Sequence, residues 1–328
     1  MRIAIIGSGG VGGFFGAKLA KGGADVTFLA RGAHLEALRT SGIAIESGAG
    51  IERVSPVRAT DEPDELEASD FVLLAVKLWD TGAILDRIKG AVGPNTTIVS
   101  FQNGVLKDSY LRERFSPSQI MGGVAYVATT IDRPGVIRQT GPLQRLLFGE
   151  FDGKPSARTQ AFLEACLAGG IKAELSQNIE RDIWEKYVFL VGLSGTTTAM
   201  DSPIGPIRSN AQTRQFLLDV MREVVAVGRA RGIDLPEDYA ERRLALTDDV
   251  SPAMTSSMHH DLQRGNRLEI AWLSGGVVTM GAQCGVPTPL NRAIHDILAL
   301  RANGGSKLAP GEGPPKPKRK EKNQGVPS

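Results

Sequence analysis

A lysine lies within an apolar helical segment, where a charged side chain needs a physical reason. Residues 182–194 read as one helix, and Lys186 shares a face of it with Ile183, Phe189 and Leu190. Burial disfavours the charged form of lysine and brings its pKa closer to neutrality, where the ammonium group can release a proton. The segment is therefore compatible with Lys186 as a proton donor. The alternative is a lysine whose side chain extends past the apolar face into water.

A second group of polar residues follows in the C-terminal half, with Ser257 and Glu269 as candidate site residues. Asn266 and Glu269 have the spacing of a capping box, and Ser257 can cap a helix, so each candidate also has a structural alternative. His259 and His260 point to different helix faces and lack metal-ligand spacing. No metal site is predicted.

A glycine-rich turn lies near the start of the chain, between a strand at 3–6 and a helix at 11–21. It has the pattern G-x-G-x-x-G and consists of Gly7, Ser8, Gly9, Gly10, Val11 and Gly12. The first glycine permits the tight turn, the second lets the backbone approach a pyrophosphate, and the third lets the helix pack on the strand. The amides at the helix N-terminus then face the phosphates. This context predicts dinucleotide binding rather than a loop that merely needs flexible residues.

The residues after the second strand indicate which dinucleotide is bound. Arg31 follows the strand at 26–29, whereas the nearest acid, Asp25, lies at its opposite end. Enzymes that use NAD place an acid at the end of this strand, and those that use NADP place an arginine near it. Arg31 therefore predicts NADP(H), with an exposed loop charge as the alternative. His34 is expected on the next helix, facing solvent.

Two further strands end in polar residues. The apolar run 71–76 is followed by Lys77, and the strand at 97–101 is followed by Asn103. Taken singly, Lys77 can be a charge at a strand end and Asn103 part of a tight turn. Ligands of a doubly wound sheet bind outside the carboxyl ends of its strands. Together with the glycine turn and Arg31, these residues therefore predict one polar rim on one edge of the sheet.

The alternation of strands and helices predicts an α/β fold whose N-terminal domain, residues 1–176, is a Rossmann-type doubly wound sheet. Residues 121–150 are rich in strand signals and are expected to extend the sheet with antiparallel strands. Residues 177–303 are predicted to form a second, helical domain, with the substrate site in the cleft between the domains. Its main helices are predicted at 179–193, 212–231, 238–246, 269–283 and 290–302.

The composition is that of an ordinary globular protein of about two domains, with 328 residues, 41% hydrophobic and 23% charged. Residues 304–328 carry a net charge of +4, against −2 for the rest, and contain five prolines. We expect this basic tail to be disordered, with nucleic-acid binding disfavoured because no aromatic residues interleave with the charges. No signal peptide or membrane span is apparent, and the two cysteines lack metal spacing. A cytoplasmic location is predicted.

Taken together, the ordered motifs resemble the ketopantoate reductase (2-dehydropantoate 2-reductase) family over essentially residues 1–303. The motifs are the turn from Gly7 to Gly12, Arg31, Ala75-Val76-Lys77, Gln102-Asn103-Gly104, Trp184-Glu185-Lys186, and Ser256-Ser257-Met258 through Glu269. The resemblance implies a Rossmann domain followed by a helical domain of the 6-phosphogluconate dehydrogenase type. It also implies NADPH-dependent reduction of 2-dehydropantoate to pantoate, in pantothenate biosynthesis.

The resemblance also assigns roles position by position. It makes Lys186 the general acid, Asn103 and Lys77 the pair that positions cofactor and substrate, and Ser257 and Glu269 polar residues of the substrate and active site. Glu269 is expected to hold the ammonium group of Lys186 in place. A small 2-keto acid is the expected partner, and the prediction also allows a homodimer.

One departure from the family pattern concerns the substrate. Well-described members carry asparagines four and eight residues after the lysine, where they contact substrate, and here those positions hold Leu190 and Ser194. A site that no longer satisfies a substrate hydroxyl discriminates differently. Two alternatives to the ketopantoate prediction stay open. One is an NADPH-dependent reductase of a more apolar 2-keto acid, and the other is a non-catalytic NADP(H)-binding protein.

Overall fold

The computed structural model describes residues 1–305, and its N-terminal half is built on one ten-stranded sheet. The strand order is β4-β3-β9-β8-β7-β6-β1-β2-β5, with β10 paired to β9. The strands are β1 (Arg2–Ile6), β2 (Asp25–Leu29), β3 (Ile43–Ser47), β4 (Gly50–Val54), β5 (Arg58–Thr60), β6 (Phe71–Leu74), β7 (Thr97–Ser100), β8 (Ile120–Arg133), β9 (Val136–Gly149) and β10 (Lys172–Leu175).

The strands β7, β6, β1, β2 and β5 run parallel, and β1 lies where the strand order reverses. Successive side chains of β1 fill two different cores, Ile3 and Ile5 on one face and Ala4 and Ile6 on the other. Burial on both faces explains why such strands read as unbroken apolar runs. The carboxyl ends of β1, β2, β6 and β7 therefore meet at one edge, as the sequence predicts.

The strand-rich region forms one long antiparallel hairpin of β8 and β9. The antiparallel strands expected in this region are therefore two long ones. The register shifts between Val127 and Thr129 and leaves residues 140–143 of β9 outside the ladder. Pro142, which cannot donate a ladder hydrogen bond, lies in this unpaired stretch.

Helices cover the sheet and build the C-terminal half. Those of the N-terminal half are α1 (Gly10–Lys21), α2 (Gly32–Ser41), α3 (Thr81–Arg87), α4 (Lys107–Arg112) and α5 (Ala157–Ala168). Those of the C-terminal half are α6 (Ile179–Ala199), α7 (Ile204–Ser209), α8 (Ala211–Ala230), α9 (Tyr239–Leu246), α10 (Ser257–Gln263), α11 (Ser274–Cys284) and α12 (Pro289–Leu298). The helix expected at 269–283 is in fact a short 3-10 turn, Glu269–Ala271, followed by α11.

Helix α6 links the two halves. Asn178 caps it by accepting a hydrogen bond from the Arg181 amide (3.1 Å). Its first turns pack Ile179 and Ile183 against Val124 of β8, and its later turns lie in the helical core against α8. This path carries the middle of α6 across β8.

The predicted fold class, a doubly wound sheet with a helical C-terminal domain, is confirmed. The domain limits 1–176, 177–303 and 304–328 stay predictions, and the tail lies outside the described residues from position 306 onward. Within residues 1–305, we find neither a helix with the length and apolar character to cross a bilayer nor a cluster of His, Cys, Asp and Glu that could hold a metal ion.

Candidate active site

The ammonium group of Lys186 faces the N-terminal domain. Its Nζ donates to the backbone oxygen of Ala125 on β8 (2.7 Å) and to Oδ1 of Asn103 (3.1 Å), and it lies 5.7 Å from the ring centroid of Tyr126. The side chain is half-buried, so the alternative of a lysine that extends into bulk water is wrong. Burial is the main cause that lowers the pKa of Lys186 to about 8, and the positive charge of Lys107 adds to it.

Asn103 follows β7 in a loop that its neighbours hold rigidly. The side-chain amide of Gln102 donates to the backbone oxygen of Val76 (2.8 Å) and to Oγ1 of Thr81 (2.7 Å). The loops after β6 and β7 are therefore tied together, and Asn103 and Lys77 come from adjacent strand ends, as the sequence predicts. From sequence, Gln102 was named only as part of the motif Gln102-Asn103-Gly104 and was given no role. Its position directly before Asn103, at a strand end, was the available signal.

Lys77 binds two carboxylates of the C-terminal domain. Its Nζ donates to Oδ2 of Asp261 (2.9 Å) and to Oε2 of Glu269 (3.1 Å). Burial alone would lower the pKa of Lys77, but the two carboxylates outweigh it and the pKa is raised. Asp261 was missed from sequence. It lies four residues after Ser257 on one face of α10, a spacing that could have indicated it.

The structure corrects the expected partner of Glu269. Its buried carboxylate, 5% exposed, accepts from Lys77 rather than from Lys186, whose hydrogen bonds within residues 1–305 go to Asn103 and Ala125. Glu269 acts on Lys186 only through its charge, which opposes the lowering of the lysine pKa. The capping-box alternative is also wrong, because the side chain of Asn266 bonds Asp261 instead.

The three remaining substrate candidates differ in exposure. Ser257 is exposed in the first turn of α10, and the cap is its neighbour Ser256, whose Oγ accepts from the amide of His259 (3.1 Å). Leu190 is half-buried and packs against the helical core. Ser194 has no exposed surface, and its Oγ has no hydrogen-bond partner among the described residues. In this arrangement a substrate cannot reach Ser194.

The glycine turn has the geometry that a dinucleotide needs. Gly7 has φ +99°, a conformation that favours glycine. A Cβ at Gly12 would lie 2.1 Å from the carbonyl oxygen of Gly7, whereas a Cβ at Gly9 would meet no atom within 4 Å. The close approach explains the third glycine, and the second borders open space beside the N-terminus of α1.

Arg31 lies just beyond the end of β2, exposed at the N-cap of α2, and no carboxylate within residues 1–305 pairs with it. Asp25 lies at the other end of β2, as predicted, and pairs with Arg2 and Arg58. The expectation that His34 faces solvent is wrong. Its Nδ1 accepts from the amide of Gly135 (3.0 Å), its Nε2 is buried, and burial lowers its pKa.

Aromatic rings and a second cation complete the rim beside Lys77. Trp79 follows β6, and Trp272 comes from the C-terminal domain, with ring centroids 6.0 Å apart. The guanidinium carbon of Arg267 lies 4.7 Å from the ring of Trp79 and 5.7 Å from that of Trp272. Lys77 Nζ lies 5.5 Å from the Trp79 ring. These contacts join the two domains next to the candidate substrate residues.

Comparison with known proteins identifies the family. The model described as ketopantoate reductase PanE/ApbA matches residues 3–153, and that of its C-terminal domain matches residues 178–302. The chain is 33% identical over 321 residues to a 2-dehydropantoate 2-reductase of Mesorhizobium japonicum, covering 92% of this chain and 96% of the relative. It is 30% identical over 302 residues to the uncharacterized oxidoreductase YkpB of Bacillus subtilis, covering 92% and 98%.

A solved structure agrees with these relatives. The crystal structure of a PanE/ApbA family ketopantoate reductase from Ralstonia eutropha JMP134 superimposes with a TM-score of 0.84 at 31% identity, covering 92% of this chain and 98% of that one. The similarity therefore includes both domains and their arrangement. The chain belongs to the ketopantoate reductase family of NAD(P)-dependent oxidoreductases.

Proposed function

We propose that this oxidoreductase uses NADPH to reduce 2-dehydropantoate to pantoate, a step of pantothenate biosynthesis. The observation that carries the proposal is the ammonium group of Lys186, held by Asn103 in the loop after β7 and by the backbone oxygen of Ala125 on β8. The relatives named as 2-dehydropantoate 2-reductases support the choice of substrate. The cytoplasmic location stays a prediction that accompanies this role.

The residues that would hold the cofactor fit NADPH. The turn from Gly7 to Gly12 would hold the pyrophosphate, with the open space at Gly9 and the amides of α1 facing it. Arg31, exposed and without a carboxylate partner among the described residues, would bind the 2′-phosphate. When bound, the nicotinamide supplies the hydride for the ketone carbon.

Lys186 would supply the proton. Reduction of a ketone places negative charge on its oxygen, and an ammonium group beside that oxygen stabilises the charge and then donates. With a pKa of about 8, Lys186 is about nine-tenths protonated at pH 7 yet releases its proton more readily than an ordinary lysine. Asn103 orients the ammonium group, because its Oδ1 accepts one of the three N–H bonds.

Substrate binding is assigned to the rim. Lys77 uses two of its three donors on Asp261 and Glu269, which leaves one for a substrate carboxylate. Ser257 is exposed on α10, the helix that carries Asp261, and would donate to an oxygen of the keto acid. Glu269 then acts by orienting Lys77.

Removal of the Lys186 amine tests the proposal. We expect Lys186→Ala to lower kcat for ketopantoate by about 100- to 10,000-fold, the range typical of general-acid catalysis, and to leave NADPH binding largely intact. Turnover is followed by NADPH absorbance and binding by fluorescence titration. Lys172→Ala, which removes an exposed lysine on β10, is the control and should keep full turnover. Near-normal turnover of Lys186→Ala would remove Lys186 from the mechanism.

A more apolar 2-keto acid is the second candidate substrate. It is favoured by Leu190, half-buried one helical turn after Lys186, and by the ring of Tyr126 close to the ammonium group. The Leu190 side chain cannot replace the amide that a substrate hydroxyl would need at this position. A panel of 2-keto acids, compared by kcat/KM with NADPH, decides between the two. Ketopantoate ranking well below an apolar acid would overturn the first assignment.

A further inference from the structure

Lys107 is a fully buried lysine close to the candidate active site. It is 2% exposed, and its Nζ donates to the backbone oxygens of Ser100 (2.9 Å) and Gly123 (3.0 Å) and to the carboxylate of Asp108 (3.2 Å). A buried ammonium group is costly unless it is paired and hydrogen-bonded. All three donors of Lys107 are used, so the site is built for this side chain.

The ammonium group occupies the point where two parallel strands separate. Strands β7 and β8 pair at Val99 and Met121, and the ladder ends there. Beyond it, β7 and β8 no longer pair with each other, and Lys107 bonds the carbonyls of Ser100 on β7 and Gly123 on β8. Lys107 thereby replaces the ladder hydrogen bonds that would otherwise join the two strands.

This contact also closes the loop that presents Asn103. The loop leaves β7 after Ser100 and enters α4 at Lys107, and the Lys107 side chain bonds back to Ser100. Asn103 lies between these two anchors and accepts from Lys186. A residue outside the reaction therefore fixes the position of one that touches the proton donor.

Lys107 and Lys186 bind the same edge of β8. Their ammonium groups bond the carbonyls of Gly123 and Ala125, two residues apart on that strand. Carbonyls two residues apart point to the same side and are separated by about 7 Å. The two ammonium groups thus bind carbonyls about that far apart on one strand, and the charge of Lys107 acts on Lys186.

We propose that Lys107 is a positioning residue of the active site. Its side chain closes the loop that holds Asn103 and places a second positive charge beside Lys186. The inference rests on the proposed role of Lys186 as the proton donor and deepens it. The charges that act on Lys186 are Lys107 from α4 and Glu269 from the turn before α11. Lys107 makes the Lys186 proton easier to release, while Glu269, itself paired with Lys77, opposes this effect.

The test measures the ionisation of Lys186 without any substrate. Acetic anhydride acetylates neutral amines, so the extent of Lys186 labelling in the full-length protein, read by peptide mass spectrometry across a pH series, gives its midpoint. We expect a wild-type midpoint of about 8. In Lys107→Gln, which keeps two N–H donors for the carbonyls but removes the charge, we expect the midpoint to rise by about one to two pH units. Lys89→Gln, at an exposed lysine, is the control and should not move it.

A second variant separates charge from packing. Lys107→Arg keeps the positive charge, so its midpoint should equal that of the wild type, and this result stands even where Lys107→Gln does not fold. An unchanged midpoint in folded Lys107→Gln overturns the inference, as does a raised midpoint in folded Lys107→Arg. Thermal denaturation confirms folding. Inactivity of the wild type on every keto acid would refute the proposed reductase function. The labelling measurement involves no turnover, so it would still decide the role of Lys107.

Discussion

The lowered pKa of Lys186 predicts a pH dependence that an ordinary lysine would not give. Reduction consumes a proton, so it needs the protonated amine, and the rate must fall as the pH rises through about 8. The protonated fraction is about nine-tenths at pH 7 and about one-tenth at pH 9, which gives a roughly tenfold fall in kcat. A lysine with an unperturbed pKa would lose only about 4% over the same range.

The assay is the initial rate of NADPH oxidation at saturating keto acid, measured from about pH 6 to about pH 10, the range that contains both the lowered and the ordinary lysine pKa. Oxidation of the hydroxy acid by NADP+ serves as an internal control, because it needs the neutral amine and should rise through the same pH. In Lys186→Arg the side chain stays protonated throughout, so the inflection should disappear. A flat wild-type profile up to about pH 9.5 would refute the reasoning, as would the same inflection in Lys186→Arg.

Two predictions concern the cofactor. Gly9→Ala should fold normally, because its Cβ meets no atom within 4 Å. It should still raise the Kd of NADPH at least about tenfold, because the methyl group fills the space for the pyrophosphate. In Gly12→Ala the Cβ would lie 2.1 Å from the Gly7 oxygen, so this variant should instead lower the free energy of unfolding by about 1–3 kcal/mol. Denaturant titration and fluorescence binding distinguish the pair, and equal behaviour of the two would contradict the assignment. Arg31→Ala should weaken the binding of NADPH about 10- to 100-fold and leave the binding of NADH unchanged. Arg39→Ala, on α2, is the control. An equal loss of affinity for both cofactors would show that Arg31 does not recognise the 2′-phosphate.

The sequence was most informative where the signal is local. The glycine turn, the strand ends at Lys77 and Asn103, and the apolar surroundings of Lys186 lie within short stretches whose periodicity and spacing are read directly. The resemblance to the family then places these short stretches in one known succession of motifs along the chain. The fold class, the shared sheet edge and the inward-facing lysine follow from that information.

The remaining features depend on contacts between distant residues. Asp261 meets Lys77 across 184 positions, and no local pattern announces that pairing. A second distant contact, the hydrogen bond from Lys77 to Glu269, changes the role of Glu269, which was paired with Lys186 from sequence. In the sequence, Lys107 has the pattern of an ordinary surface charge at the start of a helix. Only the separation of β7 and β8 makes it a buried hydrogen-bond donor to the carbonyls of Ser100 and Gly123.

The balance of charge around the rim favours a substrate with one negative charge. Two cations lie over the Trp79 ring, Lys77 and Arg267, and two carboxylates that pair with Lys77, Asp261 and Glu269, balance their charge. Asp108 offsets the charge of the buried Lys107 in the total for the site, although the Lys107 charge still acts on Lys186 itself. Among these residues, the ammonium group of Lys186 is therefore the positive charge without a carboxylate partner near neutral pH. A monoanionic keto acid neutralises this charge, whereas a neutral ketone leaves it uncompensated and a dianion exceeds it. The electrostatics of the site therefore agree with the class of substrate proposed from its hydrogen-bond geometry.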